Sequence, residues 1–87
     1  MNRARSVSAP RGIHHLVRSF TITCEVESAY PAPVVLGMTS APSEFIRERI
    51  GDIASVAGDP VTEVWTEDNG ATVARFLSGT HRIYRVR

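Results

Sequence analysis

The chain has no lysine: all ten of its basic residues are arginines. It has a single cysteine, Cys24. An internal disulfide is therefore excluded, stability must come from packing and hydrogen bonding, and a reducing, cytoplasmic setting is the expectation. With no second cysteine and no spaced histidine pair, zinc has no ligand set. No GxGxxG or Walker pattern occurs, so a nucleotide-phosphate loop is not expected. The longest apolar run, Pro31 to Met38, is far too short to span a bilayer, and no membrane partner is expected. The basic start is not followed by an apolar stretch with a small-residue cleavage site, which argues against a signal peptide. Acidic residues are missing from both ends.

What is present is strongly segregated. Residues 1–18 carry Arg3, Arg5, Arg11 and Arg18, and residues 75–87 carry Arg75, Arg82, Arg85 and Arg87. All nine carboxylates lie between Glu25 and Asp68, against only Arg47 and Arg49, so the three stretches carry +4, −7 and +4. The ends therefore meet the middle in the fold or face an acidic partner. The exclusive use of arginine fits the codon bias of a high-GC bacterium or its phage better than selection for phosphate recognition. At 87 residues, with 43% apolar and 22% charged residues, the chain suits one small soluble domain with a modest core.

Residues 1–12 have no apolar periodicity and suggest a flexible basic arm, followed by a single α+β domain over residues 13–87. Phe20, Ile22, Cys24 and Val26 alternate with Thr21, Thr23, Glu25 and Glu27, which predicts a half-buried strand. Val34 to Met38 is a candidate second strand. Thr39-Ser40 offers a helix cap ahead of Pro42. Ile46, Ile50, Ile53 and Ala57, widened by Phe45 and Ala54, form one apolar helical stripe. Gly58-Asp59-Pro60 ends the helix. Val61 to Asp68 and Ala71 to Ser78 read as strands joined at Asn69-Gly70, and His81 to Arg87 reads as a last strand. The expected fold is α+β: an antiparallel sheet of four or five strands with a single helix packed on one face, in the order β-(β)-α-β-β-β.

Two-residue turns at Asn69-Gly70 and Gly79-Thr80 would pair Trp65 with Ala74, Val64 with Arg75, Phe76 with Ile83 and Arg75 with Tyr84. Val61, Trp65, Ala74, Phe76 and Ile83 would then lie under the helix with Phe20, Ile22 and Val26. Val64, Val73, Leu77 and Val86, with Arg75, Arg82, Tyr84 and Thr62, would form an open face. A one-residue bulge would exchange the two faces.

Catalytic chemistry has little to build on. Cys24 sits on the apolar side of its strand, where a small buried thiol is the common role. Adjacent His14 and His15 point opposite ways in an extended segment, and His81 stands alone. Glu44, Glu48 and Asp52 follow i, i+4, i+8 along the solvated side of the helix. No catalytic residue, metal or cofactor is expected. The expected function is a small non-enzymatic protein-binding module, an accessory or inhibitory protein, with contact residues Arg75, Leu77, Arg82, Tyr84 and Val86 and self-association through the open face. The alternative is RNA or single-stranded nucleic-acid binding through Arg3, Arg5, Arg11, Arg82, Arg85 and Arg87. A sequence pI of about 8.0 and a net charge of +1 weigh against the alternative. Pairing of the C-terminal arginines with Glu25, Glu27, Glu63 and Glu67 across strands is expected to neutralise much of the C-terminal charge, leaving the N-terminal arm, Arg85 and Arg87 as the unpaired remainder.

Overall fold

The alternation that begins at Phe20 is realised as a strand whose even positions point inward. The computed structural model describes residues 18–27 and 32–87. The basic arm with Arg3, Arg5 and Arg11, and the pair His14 and His15, lie outside the described residues. Among the described residues five strands and one helix follow in order: β1 (Phe20–Val26), β2 (Val34–Thr39), α1 (Pro42–Ala57), β3 (Val61–Thr66), β4 (Thr72–Phe76) and β5 (His81–Val86). The strands form one antiparallel sheet in the order β2-β1-β5-β4-β3. This is the α+β fold expected from the sequence, with β2 and β3 at its edges.

Helix α1 lies on one face. Its buried Ile46 and Ile50 meet Ile22, Cys24, Ala74, Phe76 and Tyr84 of the sheet, with Leu36, Phe45, Ile53, Ala54 and Val61 packed around them. Each large side chain so buried contributes about 1.5–3 kcal/mol. The helix ends as the sequence suggests. Gly58 adopts the left-handed conformation at φ +61, its N–H donates to Ser55 O, and the Asp59 N–H donates to Ala54 O. The start differs. Ala41 occupies the cap position with no side-chain cap, and the Thr39 hydroxyl accepts the Ala41 N–H at 3.0 Å instead. Pro42, which has no N–H, relieves the first turn of one orphan donor.

The hairpins correct the expected register. At the first, the Glu67 N–H donates to Ala71 O (2.8 Å) and the Gly70 N–H to Glu67 O (2.9 Å). The loop is therefore Asp68-Asn69-Gly70, three residues long, with Gly70 at φ +89 as its left-handed last member. The second repeats the design: the Phe76 N–H donates to Thr80 O (2.9 Å), the Gly79 N–H to Phe76 O (2.8 Å), and Gly79 stands at φ +92. A turn closed by a left-handed glycine adds one residue over a two-residue turn and supplies the twist the strands need. Trp65 consequently pairs Val73, and Tyr84 pairs Thr72.

Against β4, β3 has slipped by one residue and β5 by three. Both shifts are odd, so side chains exchange faces. Trp65 and Ile83 move to the open face, while Val64, Arg82, Tyr84 and Val86 move to the helix side. Ala74 and Phe76 stay in the core as expected. Val61 also stays, because an extra residue at Thr62 restores its parity, and the Thr62 hydroxyl donates to Arg75 O at 3.1 Å.

Candidate interaction surface

The face away from the helix is covered by paired polar groups. β1 contributes Thr21, Thr23 and Glu25, β5 contributes His81, Ile83 and Arg85, β4 contributes Val73 and Arg75, and β3 contributes Glu63 and Trp65. Arg85 Nε lies 3.2 Å from Glu25 Oε1, Arg75 lies 2.9 Å from Glu63, and His81 Nδ1 lies 3.2 Å from Glu27. The Trp65 indole N–H donates to Glu67 at 2.9 Å, and its ring meets His81 edge-on at 5.9 Å. Thr23 and Val73 are buried beneath these groups. The expected cross-strand neutralisation is present in part: Glu63 takes up Arg75, and Glu25 takes up Arg85, which was expected to stay unpaired, while Glu27 meets His81 and Glu67 meets Trp65 instead of an arginine. Each exposed pair contributes less than about 1 kcal/mol, so the consequence is a neutralised surface more than a stabilised one.

The five expected contact residues do not form one patch. Arg75 lies on the open face, held by Glu63. Leu77 lies in the second hairpin loop, 70% exposed, with its N–H donated to Pro60 O. Arg82, Tyr84 and Val86 correct the expectation, because the three-residue loop turns them to the helix side. Tyr84 is 1% exposed, opposite Cys24 in the register. Burial pushes the Cys24 thiol up from its ordinary value, partly offset by the nearby Arg82. Burial raises the Tyr84 phenol as well, with Cys24 adding to the effect. A protonated, buried thiol is a poor nucleophile. Arg82 stacks over Phe76 at 5.8 Å, while Arg85 points to the other face, so the arginines of β5 do not converge on one strip. Among the described residues no group of three or more His, Cys, Asp or Glu side chains is placed to hold a metal ion. No helix there is long and apolar enough to cross a membrane.

Two apolar surfaces stand out among the described residues. A groove of about 530 Å3 opens beside the first turns of α1, between Ile46, Ile50 and Pro42 above and Val64, Thr72 and Val86 below. The second is edge strand β2, whose sequence VVLGMT carries no charge. Val34, Val35 and Met38 are 59%, 65% and 65% exposed. Its hydrogen-bonding direction follows from β1. Thr21 exchanges both backbone bonds with Arg87, so its N–H and C=O point toward β5. Alternation turns Thr23 the same way. Met38 and Val35, opposite Thr21 and Thr23, therefore turn their own N–H and C=O away from the sheet. An extra residue at Leu36, whose carbonyl accepts from Arg49 at 3.3 Å, keeps the Val35 and Met38 side chains on the same open face. The other edge, β3, is blunted by its bulge at Thr62 and by Glu63.

Sequence reasoning identified the Val34 to Met38 segment as apolar but did not single it out as a contact surface. The signal that could have found it was its complete lack of charge. Comparison with protein-family models, with curated proteins and with solved structures gives no match.

Proposed function

We propose that this chain is a non-enzymatic protein-binding module that accepts an extended strand along the edge of β2. The observation that carries this reading is the pairing state of β2: outward backbone groups at Val35 and Met38, exposed apolar side chains beside them, and no charge along the strand. Strand addition at an open edge uses main-chain hydrogen bonds for affinity and alternate side chains for selection. The partner chemistry that fits is an uncharged, apolar β-segment lying antiparallel to β2, with side chains over Val35 and Met38. The buried, protonated Cys24 supports a non-enzymatic role and is consistent with a reducing compartment.

Nucleic-acid binding through the sheet has less support. Arg75 and Arg85 are occupied by Glu63 and Glu25, and Glu27 and Glu67 stand on the same side. Phosphate would meet more carboxylates than arginines there.

The test is selection from a library of extended peptides against the whole chain. Enrichment of alternating apolar sequences, with binding lost in the Val35→Lys and Met38→Lys variants, would support the reading. Binding that is indifferent to both substitutions would defeat it.

A further inference from the structure

We infer that the strand fitting β2 best is β2 of a second copy, giving a two-fold dimer in which two five-stranded sheets join edge to edge. This rests on the reading of β2 as a strand-accepting edge and names its occupant.

In an antiparallel ladder, two opposed residues exchange both backbone bonds only when each points its N–H and C=O at the other strand. The outward residues of β2 are Val35 and Met38. A two-fold axis passing between Leu36 and Gly37 sets Val35 of one copy opposite Met38 of the other, and Met38 opposite Val35. Both outward residues of both copies are then paired, which makes four main-chain hydrogen bonds. The extra residue at Leu36 is what makes this consistent. Val35 and Met38 are three apart in sequence but stand opposite Thr23 and Thr21, which are two apart, so the outward groups keep ordinary strand spacing.

The side chains agree with the backbone. Val35 and Met38 both lie on the open face, so the two-fold gathers four exposed apolar side chains into one cluster across the seam. Charge agrees too. A two-fold places a strand against itself, and any charge near the axis would oppose its own copy. The strand itself carries none, and the nearest charge, the Arg49 guanidinium on the Leu36 carbonyl at 3.3 Å, comes from α1 on the helix side of the seam, whereas β3 paired with itself would bring Glu63 toward Glu63 within the strand. A foreign strand would find no charged group on β2 to select it, and discrimination between partners usually depends on such repulsive elements. A six-residue strand seam falls below the roughly 800 Å2 per partner of a standard stable interface, so the dimer belongs to the weak, concentration-dependent class.

The experiment is sedimentation velocity on the full chain from about 1 μM to about 1 mM, a range that brackets weak association. Beside it, the Val35→Cys and Met38→Cys variants are oxidised separately and as a mixture. Opposed residues that exchange both bonds have Cα atoms about 5.5 Å apart, within disulfide reach, and the buried Cys24 does not compete. The expected result is a reversible dimer, abolished by Val35→Lys with Met38→Lys while the thermal transition of dilute protein is retained. Cross-linking should be several-fold faster in the mixture than in either variant alone. A monomer at every concentration would overturn the dimer. If strand peptides still bound in a β2-dependent way, the strand-accepting function would survive and only the self-pairing would fail. A dimer untouched by the lysine pair, or one that cross-links equally well within each variant, would overturn the two-fold β2 seam.

Discussion

The placement of Tyr84 and Trp65 separates the observed register from the one that two-residue turns would produce. Tyr84 is 1% exposed and packs with Ile22, Cys24, Ile46 and Ile50, whereas Trp65 lies half-buried on the open face against His81. Tyr84→Ala should cost about 3–5 kcal/mol, the range for removing a buried aromatic ring. Trp65→Ala should cost about 1–2 kcal/mol, from partial burial and one cross-strand contact. The assay is urea unfolding followed by far-ultraviolet circular dichroism, which does not depend on the tryptophan. With a slope of about 1–1.5 kcal/mol per molar for a chain of this size, Tyr84→Ala should lower the midpoint by roughly 2–5 M. A domain this small has about 4–13 kcal/mol in all, so Tyr84→Ala removes a large share of the total stability. Tyr84→Phe keeps the ring and should cost below about 1.5 kcal/mol, which provides a folded comparison. The reverse order, with Trp65→Ala above about 3 kcal/mol and Tyr84→Ala near zero, would refute the register and with it the assignment of faces.

Gly51 lies within α1 with open space where an alanine methyl group would project, so Gly51→Ala should stabilise the fold by about 0.5–1 kcal/mol, read as a higher urea midpoint. Gly79 holds a left-handed conformation at φ +92, and Gly79→Ala should cost about 1–2 kcal/mol by the same assay although the space around it is open. The Cys24 thiol should react with an aromatic disulfide reagent at least about 100-fold more slowly in the native protein than in denaturant, because access requires opening. Cys24 and Tyr84 are acids whose neutral forms the fold favours, so the unfolded chain releases these protons first. Stability should be retained below about pH 9, where an exposed thiol ionises, and fall as pH rises through pH 10 and beyond. Each group contributes a slope of up to about 1.4 kcal/mol per pH unit. A flat alkaline limb in a pH series of urea midpoints would count against both burials.

Local periodicity carried most of the fold into view. The period-two alternation of β1, the isoleucine stripe of α1 and the Gly58 stop depend on neighbours in sequence; the strand, helix and stop are found as expected, although Thr23 on the polar side of β1 is buried as well. Charge segregation anticipated that acids of the first strand and the hairpin take up C-terminal arginines, as Glu63 does with Arg75. It did not anticipate Arg85, expected to stay unpaired at the tail, which the register instead sets beside Glu25. Loop length was not legible. Asn69-Gly70 suits a two-residue turn and equally suits the last two positions of a three-residue loop, and the single residue between these options sends Tyr84 and Trp65 to opposite faces. The contact residues inherited that error: Arg82, Tyr84 and Val86 followed the wrong turn. The β2 edge was hidden for another reason. Its position at the end of the sheet is set by the pairing of β1 with both β2 and β5, a long-range choice that no local pattern announces.

The most direct measurement on the β2 edge is amide hydrogen exchange at Val35 and Met38, followed as protein concentration rises. Their N–H groups point away from the sheet, so they should exchange fast in dilute protein and slow progressively as strands pair, while the edge amides of β3 around Glu63 stay unchanged. Slow exchange at Val35 and Met38 already in dilute protein, or rates at β2 indifferent to concentration and to added strand peptides, would contradict the claim that β2 is the contact edge.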